Sequence, residues 1–266
     1  MSSFDPRSRG AQCDQCPLGP QGCLSGGEWS PVPPEVHEST TVAAVLEAPR
    51  LSDVTHGRPL SGQDGGEWDR ALKANGLHRT MIDLFFVVSC APKDGWKKME
   101  ASLRRKRKKK QQELRKDGAK ATEAKRLSEA AYPHPADCCA PYLQSRLADY
   151  GYILPMGSTA AQRVLGTASS MADLEGGMRE VKASRLTWQA FDWTQSTSDW
   201  LVKVISTYDP GFVKHRPSVR PQFYATLGKA WRWFNDALYW REPEFLTQPT
   251  PDQLREWLAV PSPFWV

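Results

Sequence analysis

Two kinds of segment take turns along the chain. Short, almost unbroken apolar runs recur at Thr40–Leu46, Met81–Ser89, Tyr152–Pro155 and Leu201–Thr207. A run of this length with no in–out alternation fits a strand covered on both faces, as parallel strands are. Between the runs lie segments with helical spacing: Glu67–Asn75, stopped by Gly76; Ala136–Tyr150; Thr159–Leu165, closed by Gly166; and Pro221–Trp240, rich in aromatics. Strands alternating with helices predict an α/β fold, a three-layer αβα sandwich around a central, mostly parallel sheet. Residues 1–266 read as one domain, and 40% apolar residues suffice for its core. No apolar run approaches the roughly 18 residues a membrane helix needs. The opening residues carry no apolar stretch, so a cytoplasmic location is expected.

Three segments break the alternation. Residues 1–39 are rich in Gly, Pro and Ser and read as loop with short helical turns. A glycine-rich loop follows the first strand, through Gly57, Gly62, Gly65 and Gly66. Residues 93–132 form a polar, basic insertion, expected as one or two exposed helices or a disordered arm. Charge sharpens this last segment. Residues 93–126 hold 15 Lys/Arg against 5 Asp/Glu, whereas the rest of the chain holds 20 against 25. A mildly acidic body with one very basic segment, including seven consecutive cations at 104–110, suggests an anionic partner. Salt-sensitive contacts to nucleic-acid phosphates are its expected role; a solvated helix face is the plainer one. The 11 tryptophans are concentrated late in the chain, and residues 221–266 read as a Trp-rich extension. Most are expected to pack in the core.

Six cysteines remain: 13, 16, 23, 90, 138 and 139. Alone, Cys13-x-x-Cys16 is compatible with half a zinc site, a redox pair or coincidence. Its companions narrow the choice. Cys90-Ala-Pro follows a strand run directly, and Cys139-Ala-Pro-Tyr-Leu143 opens a helical segment. The pattern Cys-x-x-Cys-x-Leu, strand-Cys-x-Pro, Cys-x-Pro-Tyr-Leu resembles the family 4-like, iron–sulfur branch of the uracil-DNA glycosylase superfamily. That resemblance implies a [4Fe–4S] cluster held by Cys13, Cys16, Cys90 and Cys139, in a structural rather than redox role.

A longer stretch carries the same resemblance. Leu46-Glu-Ala-Pro-Arg-Leu-Ser-Asp-Val-Thr-His-Gly-Arg-Pro-Leu-Ser-Gly-Gln-Asp-Gly65 aligns without gaps to that family's first motif, roughly Gly-Glu-Ala-Pro-Gly-x-x-Glu-Asp-x-x-Gly-Arg-Pro-Phe-x-Gly-x-x-Gly. By this match Glu47 and Asp53 fall on acidic positions, and Ala48 and Pro49 line the base site. Either acid can position water or stabilise the cationic sugar formed as the base leaves; solvated loop carboxylates are the bland alternative. The departures are as informative. The family's stacking Phe is Leu60, which suggests more room beside the base. Its base-reading Asn falls on Phe86, which cannot pair with a base edge as an amide can. Its His-Pro-Ser motif reads Asp209-Pro-Gly211, so an acid replaces the histidine. Asp209 can act on water, stabilise the sugar cation or, protonated, donate to the base; His215 stands nearby in sequence. Phe212 or Val213 is expected as the wedge that fills the gap left by a flipped base, with Lys214, Arg216 and Arg220 on the phosphates.

The resemblance therefore implies a monomeric, DNA-binding, monofunctional glycosylase that flips a base out of the stack, without a Schiff-base lysine. The altered pocket suggests a bulky modified pyrimidine, such as glucosylated hydroxymethylcytosine in viral DNA, and a place in anti-viral defence. Uracil excision in base-excision repair and a non-catalytic DNA-binding protein are the competing expectations.

Overall fold

The computed structural model describes residues 4–24, 29–182, 200–238, 250–252 and 255. Five strands form one sheet: β1 (Val42–Leu46), β2 (Asp83–Phe86), β3 (Tyr152–Pro155), β4 (Met178–Lys182) and β5 (Leu201–Ile205). Their order is β2-β1-β3-β5-β4. The first four in that order run parallel, and β4 pairs antiparallel to β5 at the edge.

All five residues of β1 are buried, and successive side chains point to opposite faces. Ala43 and Val45 join Phe85, Ile153 and Val204 in one apolar cluster. Val42, Ala44 and Leu46 join Leu84, Phe86, Leu154 and Ile205 in the other. Each cluster is closed by helices. On the first face lie α5 (Pro135–Leu147) and α6 (Ser158–Leu165), through Leu143, Ala160 and Val164. On the second lie α2 (Gln63–Ala74), α8 (Pro210–His215) and α9 (Arg220–Phe234), through Trp68, Val213, Phe223 and Leu227. Three layers follow directly from strands that are apolar on both sides.

The remaining helices shape loops. α1 (Leu51–His56) falls inside the glycine-rich stretch expected to be loop. The basic insertion folds as two helices, α3 (Trp96–Lys116) and α4 (Ala121–Ala131), packed on each other. α7 (Met171–Leu174) precedes the edge strand. Of the aromatic segment expected to reach Trp240, α9 covers the part ending at Phe234; Tyr239 and Trp240 lie outside the described residues, as do Trp188 and Trp193. Among the described residues no helix is long and apolar enough to cross a membrane.

Candidate active site

A cavity of about 830 Å³ opens at the carboxyl ends of the parallel strands. Each wall follows from a strand. Glu47 is the first residue after β1; Gly157, Ser158 and Thr159 follow β3 and begin α6; Tyr208 and Asp209 follow β5 and lead into α8. β1 sends its chain to β2 on one side while β3 lies on the other, so the crevice sits where strand order reverses. Open α/β sheets bind ligands at that point.

Glu47 is the central acid. Burial pushes its carboxyl up to about 7, helped by the negative charges of Asp209 and Glu100 and opposed by Arg50 and by a hydrogen bond from Thr159. The Thr159 hydroxyl donates to Glu47 Oε1 and ties the β1 loop to α6 across the reversal point. Near neutral pH this carboxyl is poised between its two protonation states, as a residue that exchanges protons with water should be.

Asp209 caps α8. Its Oδ1 accepts from the backbone N–H of Gly211 at 2.9 Å and of Phe212 at 3.2 Å, and pairs with Arg50 at 3.1 Å. Burial raises its carboxyl above the usual range, while Arg50 and the two N–H groups work the other way. Arg50 is the residue sequence reasoning passed over. Its guanidinium spans Asp64 and Asp209 and lines the cavity, and its only signal was an arginine where the similar family has glycine. Asp64, buried at the start of α2, also takes Lys214 at 4.0 Å.

The first loop is held by its own hydrogen bonds. Asp53 is buried and does not line the cavity. Its carboxylate accepts from Arg50 N, Ser61 N and Ser61 Oγ, each within 3.0 Å, so it organises the turn rather than facing a substrate. Leu60 adopts φ +47° and packs into the second core cluster, and its carbonyl stands where a Cβ at position 65 would sit, 1.8 Å away. Only glycine fits at Gly65. The expectation that Leu60 widens the base site is corrected: its side chain turns inward.

Phe86 is likewise corrected as a cavity residue. It pairs with Leu46 across β1 and β2, so both side chains leave the same face of the sheet, into the second core cluster. Ala48 and Pro49 are covered, Ala48 against the first core cluster, and neither lines the cavity. Val213 is wholly buried, which removes it as a wedge. Phe212 is 39% exposed, lines the cavity and stacks on Tyr208 with ring centroids 5.4 Å apart. Arg216 lies over the Phe212 ring, 5.4 Å from its centroid, and His215 also lines the cavity. These side chains make a flat aromatic and cationic ledge suited to a base or nucleotide face. Arg220 instead serves the fold: it pairs with buried Glu67 at 2.7 Å, joining α9 to α2.

The fourth wall comes from the basic insertion. Trp96, Lys97 and Glu100, from the first turns of α3, line the cavity opposite α8. Trp96 meets His134 edge to face at 5.7 Å, and its buried indole N–H has no partner among the described residues. His134, at the start of α5, is pushed down to about 4 by burial and by Arg163, so it stays neutral and accepts from Ala136 N. Gln162 and Met171 complete the rim.

Four cysteines, Cys16, Cys90, Cys138 and Cys139, lie in the cluster on the first face of the sheet, and Cys13 lies near them in a small cluster with Tyr142. Cys13, Cys16, Cys90, Cys138 and Cys139 are all buried, and Cys23 is exposed. Cys90 and Cys139 both feel the charges of Cys13 and Cys16. Cys138 donates to Cys16, and Cys139 accepts from the backbone of Ser89. Burial pushes the Cys13 thiol up to about 11 and the Cys139 thiol to about 12, so free thiolates are unfavourable there. Among the described residues no three His, Cys, Asp or Glu side chains converge on a point that would suit a single ion. A four-iron cluster asks for a wider spacing, since each thiolate takes a different iron. The Trp29 indole N–H, buried without a partner, lies beside Cys90 and favours its thiolate, a donor such a cluster would satisfy. These thiols, with the spare N–H beside Cys90, are donors of the kind an iron–sulfur cluster would take.

No curated protein matches the chain. The family model for the uracil DNA glycosylase superfamily matches residues 33–263, which takes in the sheet, the cavity walls and the basic insertion. The chain therefore belongs to the uracil DNA glycosylase superfamily, whose members are generally DNA glycosylases.

Proposed function

We propose that this protein is a monofunctional DNA glycosylase that receives a flipped, enlarged pyrimidine in the cavity and hydrolyses its N-glycosidic bond with water. The observation that carries this reading is Glu47: a carboxyl poised at about 7, oriented by Thr159 and facing a cavity that also holds an Arg50–Asp209 pair. As the bond breaks, the electron pair leaves with the base and positive charge develops on the sugar. Ionised Glu47 takes a proton from the attacking water, whose hydroxyl joins C1′. The base leaves as an anion and takes a proton from solvent water, Glu47 returns its proton to solvent and is carboxylate again, and an abasic site remains. Arg50 offsets the negative charge on the base, the role a histidine fills in the similar family, and Asp209 holds Arg50 in place. Tyr208 borders the extruded nucleotide, and exposed Phe212 fills the gap it leaves.

Two features favour an enlarged base. The cavity of about 830 Å³ exceeds what a bare pyrimidine fills. Ser158, Gln162 and Glu100 bring hydrogen-bonding groups to the cavity lining that substituents on an enlarged base could use. Hydroxymethylated or glucosylated cytosines of viral DNA have that size and polarity, which would place the protein in anti-viral defence. The proposed [4Fe–4S] cluster, on Cys13, Cys16, Cys90 and Cys139, would tie the N-terminal loop to the end of β2 and to α5 and take no part in the reaction.

The deciding experiment offers the protein DNAs containing uracil, hydroxymethyluracil, hydroxymethylcytosine or its glucosylated form, beside unmodified DNA, and scores abasic sites. Release of an enlarged base, reduced about 10²–10⁴-fold in Glu47→Gln, is expected. Efficient uracil release would overturn the substrate. Tight binding with no product would favour a non-catalytic DNA-binding protein. Strand cleavage that Lys97→Ala abolishes would replace hydrolysis by lyase chemistry. For the cluster, purified protein should carry about four irons and a broad visible absorption. Cys139→Ser should lose both and Cys138→Ser should keep them; one zinc and no colour would refute it.

A further inference from the structure

The basic insertion is oriented with respect to the cavity, and its charge is sorted by helix face. At 100° per residue, two parallel rows of four cations run the length of α3. The first is Lys97, Arg104, Lys108 and Arg115, each within about 20° of Lys97 down the axis. The second is Lys98, Arg105, Lys109 and Lys116, one residue on and turned about 100° away. All eight are exposed. The buried side of the helix is set by Met99 and Leu103. Its contacts with α4 are set by Arg107, whose Nε donates to the Tyr132 carbonyl at 2.8 Å, and by Gln111, which donates to Ser128 at 3.0 Å.

The two rows differ in where they start. Lys97 lines the cavity, together with Trp96 and Glu100, whereas Lys98 and Arg105 face a separate shallow depression near Leu24 and Pro92. Among the described residues Arg104, Lys108 and Arg115 have no acidic partner, and the sole ion pair within α3 is Lys110–Glu113 at 3.4 Å. From Lys97 to Arg115 the row spans about 27 Å, the rise of about eight nucleotides of one B-form strand. A line of unpaired cations that begins at the cavity mouth has the charge and direction to hold a polyanion threaded past that mouth.

We infer that the Lys97–Arg104–Lys108–Arg115 face of α3 is a track for the phosphate backbone of the strand whose nucleotide enters the cavity, and that the Lys98–Arg105–Lys109–Lys116 face is not. The inference rests on DNA entering this cavity, and not on any bond being broken there.

The test compares two matched triple variants, Arg104→Gln/Lys108→Gln/Arg115→Gln and Arg105→Gln/Lys109→Gln/Lys116→Gln, each in a Glu47→Gln background that cannot turn over. Binding of a labelled single-stranded 20-mer, and of the same sequence as a duplex, is measured across a salt series. The first triple is expected to lower the slope of log K against log salt by about 2–3, and the second by less than about 1. Equal losses in the two triples would show undirected attraction and overturn the track; so would no loss in either. Circular dichroism should be the same for both, since all six side chains are exposed. A selective loss in the first triple stands even if no base is ever released, and equal losses refute the track even if the enzyme is active.

Discussion

Glu47 and Glu175 stand near the same carboxyl edge of the sheet, both pushed up to about 7 chiefly by burial, but their surroundings differ. Glu47 faces the cavity and receives one hydroxyl, from Thr159. Glu175 does not line the cavity. It bridges to β5 through Ser206 and accepts from Thr226 at 2.8 Å and Thr207 at 3.3 Å, while its other oxygen is buried without a partner among the described residues. The same shift therefore marks a reactive group in one place and a packed structural one in the other. What separates them is access to a ligand. A raised carboxyl alone does not identify a catalytic acid.

The largest expected effect that would break this comparison is kinetic. If ionised Glu47 activates water, base release should rise as pH increases through about 7 and level off above it. Glu47→Gln should remove both the rise and nearly all the rate, whereas Glu175→Gln should leave the profile in place and the rate within a few-fold. A profile that follows Glu175 instead would reverse the assignment.

The next effect is on stability. A carboxyl bound in the fold at about 7 and free in the unfolded chain near its ordinary value keeps its proton longer when folded. Its contribution to stability is whole below the unfolded pKa and is lost as pH rises toward about 7, then stays constant. Glu175→Gln, measured by urea unfolding from pH 5 to pH 8, should flatten that decline, raising stability at pH 8 by about 1–3 kcal/mol. An unchanged decline would mean Glu175 is ionised throughout.

The smallest contrast concerns two neighbours in α8. Val213→Ala should cost about 1–2 kcal/mol of stability, because Val213 is enclosed in the core. Phe212→Ala should change stability by less than about 0.5 kcal/mol yet weaken DNA binding or base release several-fold. The opposite pattern would remove Phe212 from the DNA surface.

Much of this was legible in the sequence, for reasons the fold makes plain. The parallel strands are covered on both faces, so they read as unbroken apolar runs, and the acids at their ends fall where the runs stop. The edge strand was not legible. Met178-Arg-Glu-Val-Lys182 is exposed along most of its length and carries no apolar run. Motif alignment placed Phe86 and Leu60 in the base site because it gives position along the chain and not side-chain direction. Pairing of Phe86 with Leu46 sets that direction toward the core. Trp96 and Glu100 were hidden inside a charge run whose composition says helix and anion, while one end of it closes the cavity.

Three departures from the similar family's motifs meet in one spot. Arg50 stands where those proteins carry glycine, Asp209 where they carry histidine, and Gly211 where they carry serine. A Cβ on residue 211 would lie 2.0 Å from the Arg50 guanidinium, and that guanidinium is pinned by Asp64 and Asp209, so it has little freedom to yield. The three positions are therefore coupled in space: an arginine at 50, held by these two carboxylates, leaves room only for glycine at 211. Anyone transplanting this corner into another scaffold would have to move Arg50, Asp209 and Gly211 together, as one part.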